Sequence, residues 1–118
     1  MALNSYSNVF WIAPPPSQIM APLKHPNLVH LHGAVWNEGP DKLCLVLDYV
    51  SGGSLREVLR PGTRGVTWNI EGFGLAHGVA KCFRYLHHEL REPLVHRDLK
   101  PDNVLVDECM MPKVSAVS

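Results

Sequence analysis

Eight consecutive residues, His96-Arg97-Asp98-Leu99-Lys100-Pro101-Asp102-Asn103, gather the side-chain types of this chain that could do chemistry. They supply an imidazole, a guanidinium, two carboxylates, an ammonium and a carboxamide. With such groups a loop can take a proton, neutralise an anion or hold a hard cation. An apolar run, Val104-Leu105-Val106, follows at once and reads as a short strand. The bland reading is that Asp, Lys and Asn merely cap and solvate a polar turn. An uninterrupted stretch of this length with a strand behind it is a far more specific signal than a lone glycine motif.

The rest of the chain must position that stretch. Leu28 to Trp36 reads as a turn followed by a strand, Asn37 to Asp41 as a hairpin-type loop, and Lys42 to Val50 as a buried strand, together an antiparallel pair. Ser51-Gly52-Gly53 breaks the second strand. Ser54 is an N-cap, with Glu57 three residues on completing a capping box for a helix over Leu55 to Leu59, and Pro61-Gly62 ends it. A longer helix is expected from Thr67 to about His88, with Leu75, Val79, Phe83 and Leu86 forming one apolar face. Gly72, Gly74 and Gly78 weaken its intrinsic propensity, so packing must hold it. Val104 to Val106 and Pro112 to Val114 make a second small strand pair about a turn at Asp107-Glu108.

Composition narrows the function classes. The 118 residues, 46% apolar and 19% charged, suffice for one small domain with a modest core. Eleven basic and eleven acidic residues cancel, which argues against a nucleic-acid footprint or a polybasic membrane patch. No apolar run is long enough to span a bilayer, and Met1 to Met20 lacks the regions of a signal peptide, so the expected location is cytoplasmic. Cys44, Cys82 and Cys109 have neither the number nor the spacing of a disulfide framework or zinc knuckle and read as incidental thiols. His30 with His32, and His87 with His88, lack a third ligand at sensible spacing, so no metal site is read from them. Residues 1–16 carry Asn, Ser and Pro14-Pro15-Pro16 without periodicity and read as an irregular or non-homologous leader, with residues 17–118 as the second segment.

The H-R-D-L-K-P-D-N stretch resembles the catalytic loop of protein kinases. The order of the other elements is similar to that family too. Leu23 to Val29 resembles the segment after helix αC, Leu45 to Val50 resembles strand β5 and the hinge, and Gly52-Gly53-Ser54-Leu55 resembles the start of αD. Val79 to His88 resembles the end of αE. The wording is closest to the tyrosine-kinase-like branch of serine/threonine kinases, and Lys100, two residues after Asp98, is the serine/threonine choice. The implied fold is α+β: a fragment of the kinase fold holding the last N-lobe strands, the hinge, the first C-lobe helices and the catalytic loop.

The resemblance also implies roles. Asp98 would orient the substrate hydroxyl and take its proton. Lys100 would neutralise the transferring phosphate, and Asn103 would bind Mg2+. His96 would hold the loop, and Arg97 would pair with a phosphorylated activation loop. The Asp48 carbonyl and the Val50 N–H would meet the adenine edge of ATP, Leu47 would stand as gatekeeper and Leu105 would form the adenine floor. The partner would be a protein substrate bearing Ser or Thr.

The pattern fails at both ends. No Gly-rich loop or V-A-I-K lysine is present, the αC glutamate position falls on Pro16, and Ala116-Val117-Ser118 stand where D-F-G is expected. These departures imply a chain inactive in phosphotransfer, with residues 1–16 and 116–118 drawn from intron or out-of-frame sequence. The alternatives are a non-catalytic, pseudokinase-like interaction fragment and an incomplete gene product. A half-lobe would expose apolar surface that missing helices should cover, with marginal stability as the consequence.

Overall fold

In a computed structural model the described residues are 3–5, 22–36, 43–63 and 66–115, with backbone alone at 3–5, 34–36 and 43. The expected hairpin loop at Asn37 to Asp41 lies outside them, as does Ala116. The chain forms two compact units, one of residues 1–24 and 30–49, the other of 25–29 and 50–118.

The first unit is an antiparallel sheet of β1 (Leu3–Ser5), β2 (Leu31–Trp36) and β3 (Leu43–Leu47), with β3 in the middle. β3 is a run of Leu, Cys and Val, and its side chains alternate as a half-buried strand requires. Leu45 and Leu47 are buried, while Cys44 and Val46 are half-buried. β1 lies within the leader read as irregular, where its backbone pairs Leu3 with Val46 and Ser5 with Cys44. β2 pairs Ala34 with Leu45 and Gly33 with Val46, but Leu31 with Leu47, so one extra residue, His32, bulges from the ladder.

The second unit is built on α1 (Leu55–Val58), α2 (Phe73–Arg84), β4 (Val104–Val106) and β5 (Pro112–Val114). Ser54 caps α1, its hydroxyl accepting from the Glu57 N–H at 3.2 Å. Single π-turns, Trp68–Gly72 and Tyr85–Glu89, flank α2, so the helical path covers the expected stretch. β4 and β5 pair with Val104 opposite Val114. Backbone on either side widens this ribbon, since Leu28 bridges Val114 and Ser54 bridges Leu105. Gly52 permits the second approach, because a Cβ there would lie 2.1 Å from the Val106 carbonyl oxygen.

The buried face of α2 differs from the one expected. Leu75 and Leu86 are buried as expected, but Gly78 and Cys82 complete the face, and Val79 and Phe83 are only half-buried. The reason is steric. At Gly78 an added Cβ would stand 2.4 Å from Pro112 Cγ and 2.9 Å from Asn27 Nδ2. The absent side chain therefore lets β5 and the 25–29 segment close onto the helix. Asn27 is buried with them and donates from Nδ2 to the Pro112 carbonyl at 2.9 Å. Cys82, Leu86, Val106 and Val114 are fully buried beside this contact. Burying a Val or Leu side chain stabilises by about 1.5–3 kcal/mol each, and this seam anchors the loop that leads into β4.

Candidate active site

The loop at residues 96–103 enters from Leu94, whose N–H donates to the Leu86 carbonyl at the end of the helical path, and leaves through a 3-10 turn, Pro101–Asn103, into β4. Pro101 suits the first position of such a turn, since its missing N–H would find no partner there. Arg97 takes a left-handed backbone, φ 71°, which costs a side-chain-bearing residue about 1–2 kcal/mol.

His96 organises the start of the loop. Its Nδ1 accepts from the Asp98 N–H at 3.1 Å, so Nε2 carries the proton and donates to the Ser115 carbonyl at 2.6 Å. The ring also sits 6.0 Å from that of Phe83 on α2. Ser115 returns the tie, its N–H donating to the Asn103 carbonyl at 2.8 Å. Asn103 is buried, and its Nδ2 donates to both the Asp98 carbonyl at 2.9 Å and Asp98 Oδ2 at 3.1 Å. Lys100 Nζ stands 3.5 Å from the same Oδ2. The structure thus brings Asp98, Lys100 and Asn103 together around one carboxylate.

That arrangement can present a carboxylate of fixed direction beside a mobile cation. With Nδ2 spent on Asp98, the Asn103 side-chain oxygen is the atom left for a cation. Among the described residues no group of three or more His, Cys, Asp or Glu side chains could hold a metal ion. A Mg2+ brought in with a nucleotide would be held by the Asn103 side-chain oxygen, a hard donor of the kind that ion takes.

The residues expected at the adenine fall in both units. In the first, Leu47 is buried at the end of β3, and Asp48 directly after it is half-buried. In the second, Val50 is buried and Leu105 is half-buried, on the face of β4 opposite Val104 and Val106. Two polar contacts had no signal in the sequence. Arg56 on α1 donates to Asp102 Oδ2 at 3.0 Å across 46 residues, and His32 meets Asp48 across 16. The second unit also carries an apolar groove of about 650 Å3, lined among others by Leu55, Trp68, Leu75, Val79 and Leu99, with Lys100 as its charged member.

Comparison with known proteins gives the family of the chain. The protein tyrosine and serine/threonine kinase family matches residues 15–118, and the chain belongs to that family. Its relatives are plant receptor-like kinases. A leucine-rich repeat receptor-like protein kinase of Arabidopsis thaliana, whose name marks it "Probably inactive", is 40% identical over 101 residues, covering 83% of this chain and 10% of the relative. The lectin-domain containing receptor kinases VI.3 and VI.4 of the same plant are 42% and 41% identical over 96 residues, each covering 78% of this chain and 14% of the relative. The chain therefore spans about a tenth to a seventh of the length of these relatives. Among the described residues no helix is long and apolar enough to cross a membrane.

Proposed function

We propose that the loop at residues 96–103 serves ATP-dependent transfer of a phosphoryl group to Ser or Thr of a protein. The observation that carries this reading is the convergence of Asn103 Nδ2 and Lys100 Nζ on Asp98 Oδ2. Phosphoryl transfer asks little covalent chemistry of a protein and depends on positioning and charge. Asp98, held by Asn103, orients the acceptor hydroxyl and takes its proton. Lys100, half-exposed at 49% of its side-chain surface, swings from Asp98 to the transferring phosphate. Asn103 offers its amide oxygen to Mg2+, which when bound with ATP offsets phosphate charge. In the first unit the Asp48 carbonyl takes the adenine edge, with Leu47 as gatekeeper.

On this reading the 118-residue chain does not itself turn over. Pro16 stands at the position of the glutamate that would pair with the phosphate-gripping lysine, and Ala116 where a second Mg2+-binding carboxylate is expected. Those two residues also favour the second reading, a non-catalytic interaction segment. A chimera separates the two. Residues 94–115 replace the matching segment of the kinase domain of lectin-domain receptor kinase VI.3, and transfer to a Ser/Thr protein is measured. Activity within about tenfold of the parent, falling 10²- to 10⁴-fold with Asp98→Asn, is the expected result. A dead chimera that still folds and binds ATP would refute a competent loop and leave the interaction reading.

A further inference from the structure

The polar grip on Asp48 lies outside the catalytic loop, and it is built by the bulge in β2. A β-strand alternates its side chains, so in an unshifted ladder His32 would lie opposite Leu47 and face away from the Asp48 side. With the bulge, His32 Nε2 lies 2.5 Å from Asp48 Oδ1. The His30 N–H donates to Asp48 Oδ2 at 3.2 Å. The Asp48 N–H in turn donates to the His30 carbonyl at 3.0 Å. Both carboxylate oxygens and the amide of one residue are thus held by the neighbouring strand. The His30 ring stands edge-on to that of His32, 4.9 Å between centroids, which steadies the imidazole.

This residue directly follows the last residue of β3, where the regular ladder ends. The next side chain, Tyr49, is 71% exposed and anchors nothing by burial. The direction of the Asp48–Tyr49 peptide therefore depends on the grip on Asp48. An ionised carboxylate only accepts, so Nε2–H is the donor, and a charge-assisted bond of this kind is stronger than a neutral one.

We infer that His32 is a positioning residue for an adenine nucleotide, acting through the Asp48 carboxylate to set the backbone that meets the adenine edge. The inference rests on the reading that the Asp48 carbonyl takes that edge. The β-bulge is the device that turns His32 toward its target, a use to which bulges beside functional sites are often put.

The experiment is a titration of the 118-residue chain with adenosine, followed by NMR, alongside amide hydrogen exchange at Asp48 and Tyr49 and the thermal midpoint. His32→Ala is expected to bind adenosine about three- to tenfold more weakly, from the loss of one half-exposed charge-assisted hydrogen bond. Exchange at Asp48 and Tyr49 should speed up while the thermal midpoint stays near that of the unaltered chain. His32→Gln, whose amide nitrogen can reach the same oxygen, should recover most of the affinity, which a merely structural role would not require. Equal adenosine affinity in His32→Ala and the unaltered chain overturns the inference while leaving the adenine reading intact. No adenosine binding by the unaltered chain, with exchange still faster in His32→Ala, shows that the adenine reading itself has failed, and the nucleotide role of His32 falls with it.

Discussion

Two glycines, one in each unit, show how differently the two halves of this chain are held. Gly78 in α2 lies so close to Pro112 and Asn27 that a methyl group has no room, while Gly33 in β2 has nothing within 4 Å of where its Cβ would be. The second unit is fixed by tight apposition of backbone and small side chains, and its loop inherits that rigidity through Ser115, Asn103 and His96. The first unit is fixed by strand pairing and by the polar grip on Asp48. The Asp98 carboxylate is therefore seated where packing is closest. A sheet can tolerate change that the helical unit cannot.

Substitution at the two glycines is the strongest way to break this contrast. Gly78→Ala should destabilise the second unit by about 1–3 kcal/mol, because the overpacked site must push β5 away. Gly33→Ala should be neutral or stabilising by up to about 1 kcal/mol, since glycine in a strand costs entropy and the space is open. Chemical denaturation of both variants checks the pair, and equal losses would remove the distinction.

Acid sharpens the contrast from another side. Burial holds the His25 imidazole below its ordinary value of 6.5, against the raising influence of Glu89. Its Nδ1 accepts from the Asn27 N–H at 3.0 Å, which only the neutral ring can do on that nitrogen. A folded-state pKa below the unfolded one means stability that is complete above pH 6.5 and is lost as pH falls through the lower folded value. Thermal midpoints should therefore drop between pH 7 and pH 5, and His25→Gln should flatten that part of the profile.

The smallest effect is expected at the surface of the second unit. Arg56 and Asp102 form a pair exposed at 67% and 42% of their side-chain surfaces. Arg56→Ala should cost no more than about 1 kcal/mol, and less in high salt. A larger loss would show that α1, and not the seam at Gly78, steers the loop.

What could be read in the sequence follows the same division. Val104 to Val106 and Pro112 to Val114 were readable as a strand pair because alternation and a turn at Asp107 are local signals. The Asp107 carboxylate indeed accepts from the N–H groups of Cys109 and Met111, each at 2.9 Å. The extent of the helical path was readable from its flanks. Its buried face was not, because the period that selects Val79 and Phe83 is blind to Pro112 arriving over Gly78. The set Asp98, Lys100 and Asn103 spans six residues, so a short turn sufficed to join it. His32 and Asp48 meet only through a bulge, and no spacing rule announces one.

Asn103 and His96 hold Asp98 in a formed loop. The direct measurement is NMR of the 118-residue chain, reading exchange of the Asn103 side-chain amide hydrogens and the ring nitrogens of His96. Slow amide exchange, lost in Asp98→Ala, and a His96 ring fixed with its proton on Nε2 are expected. Solvent-like exchange at Asn103 together with a His96 ring averaging between tautomers would contradict it.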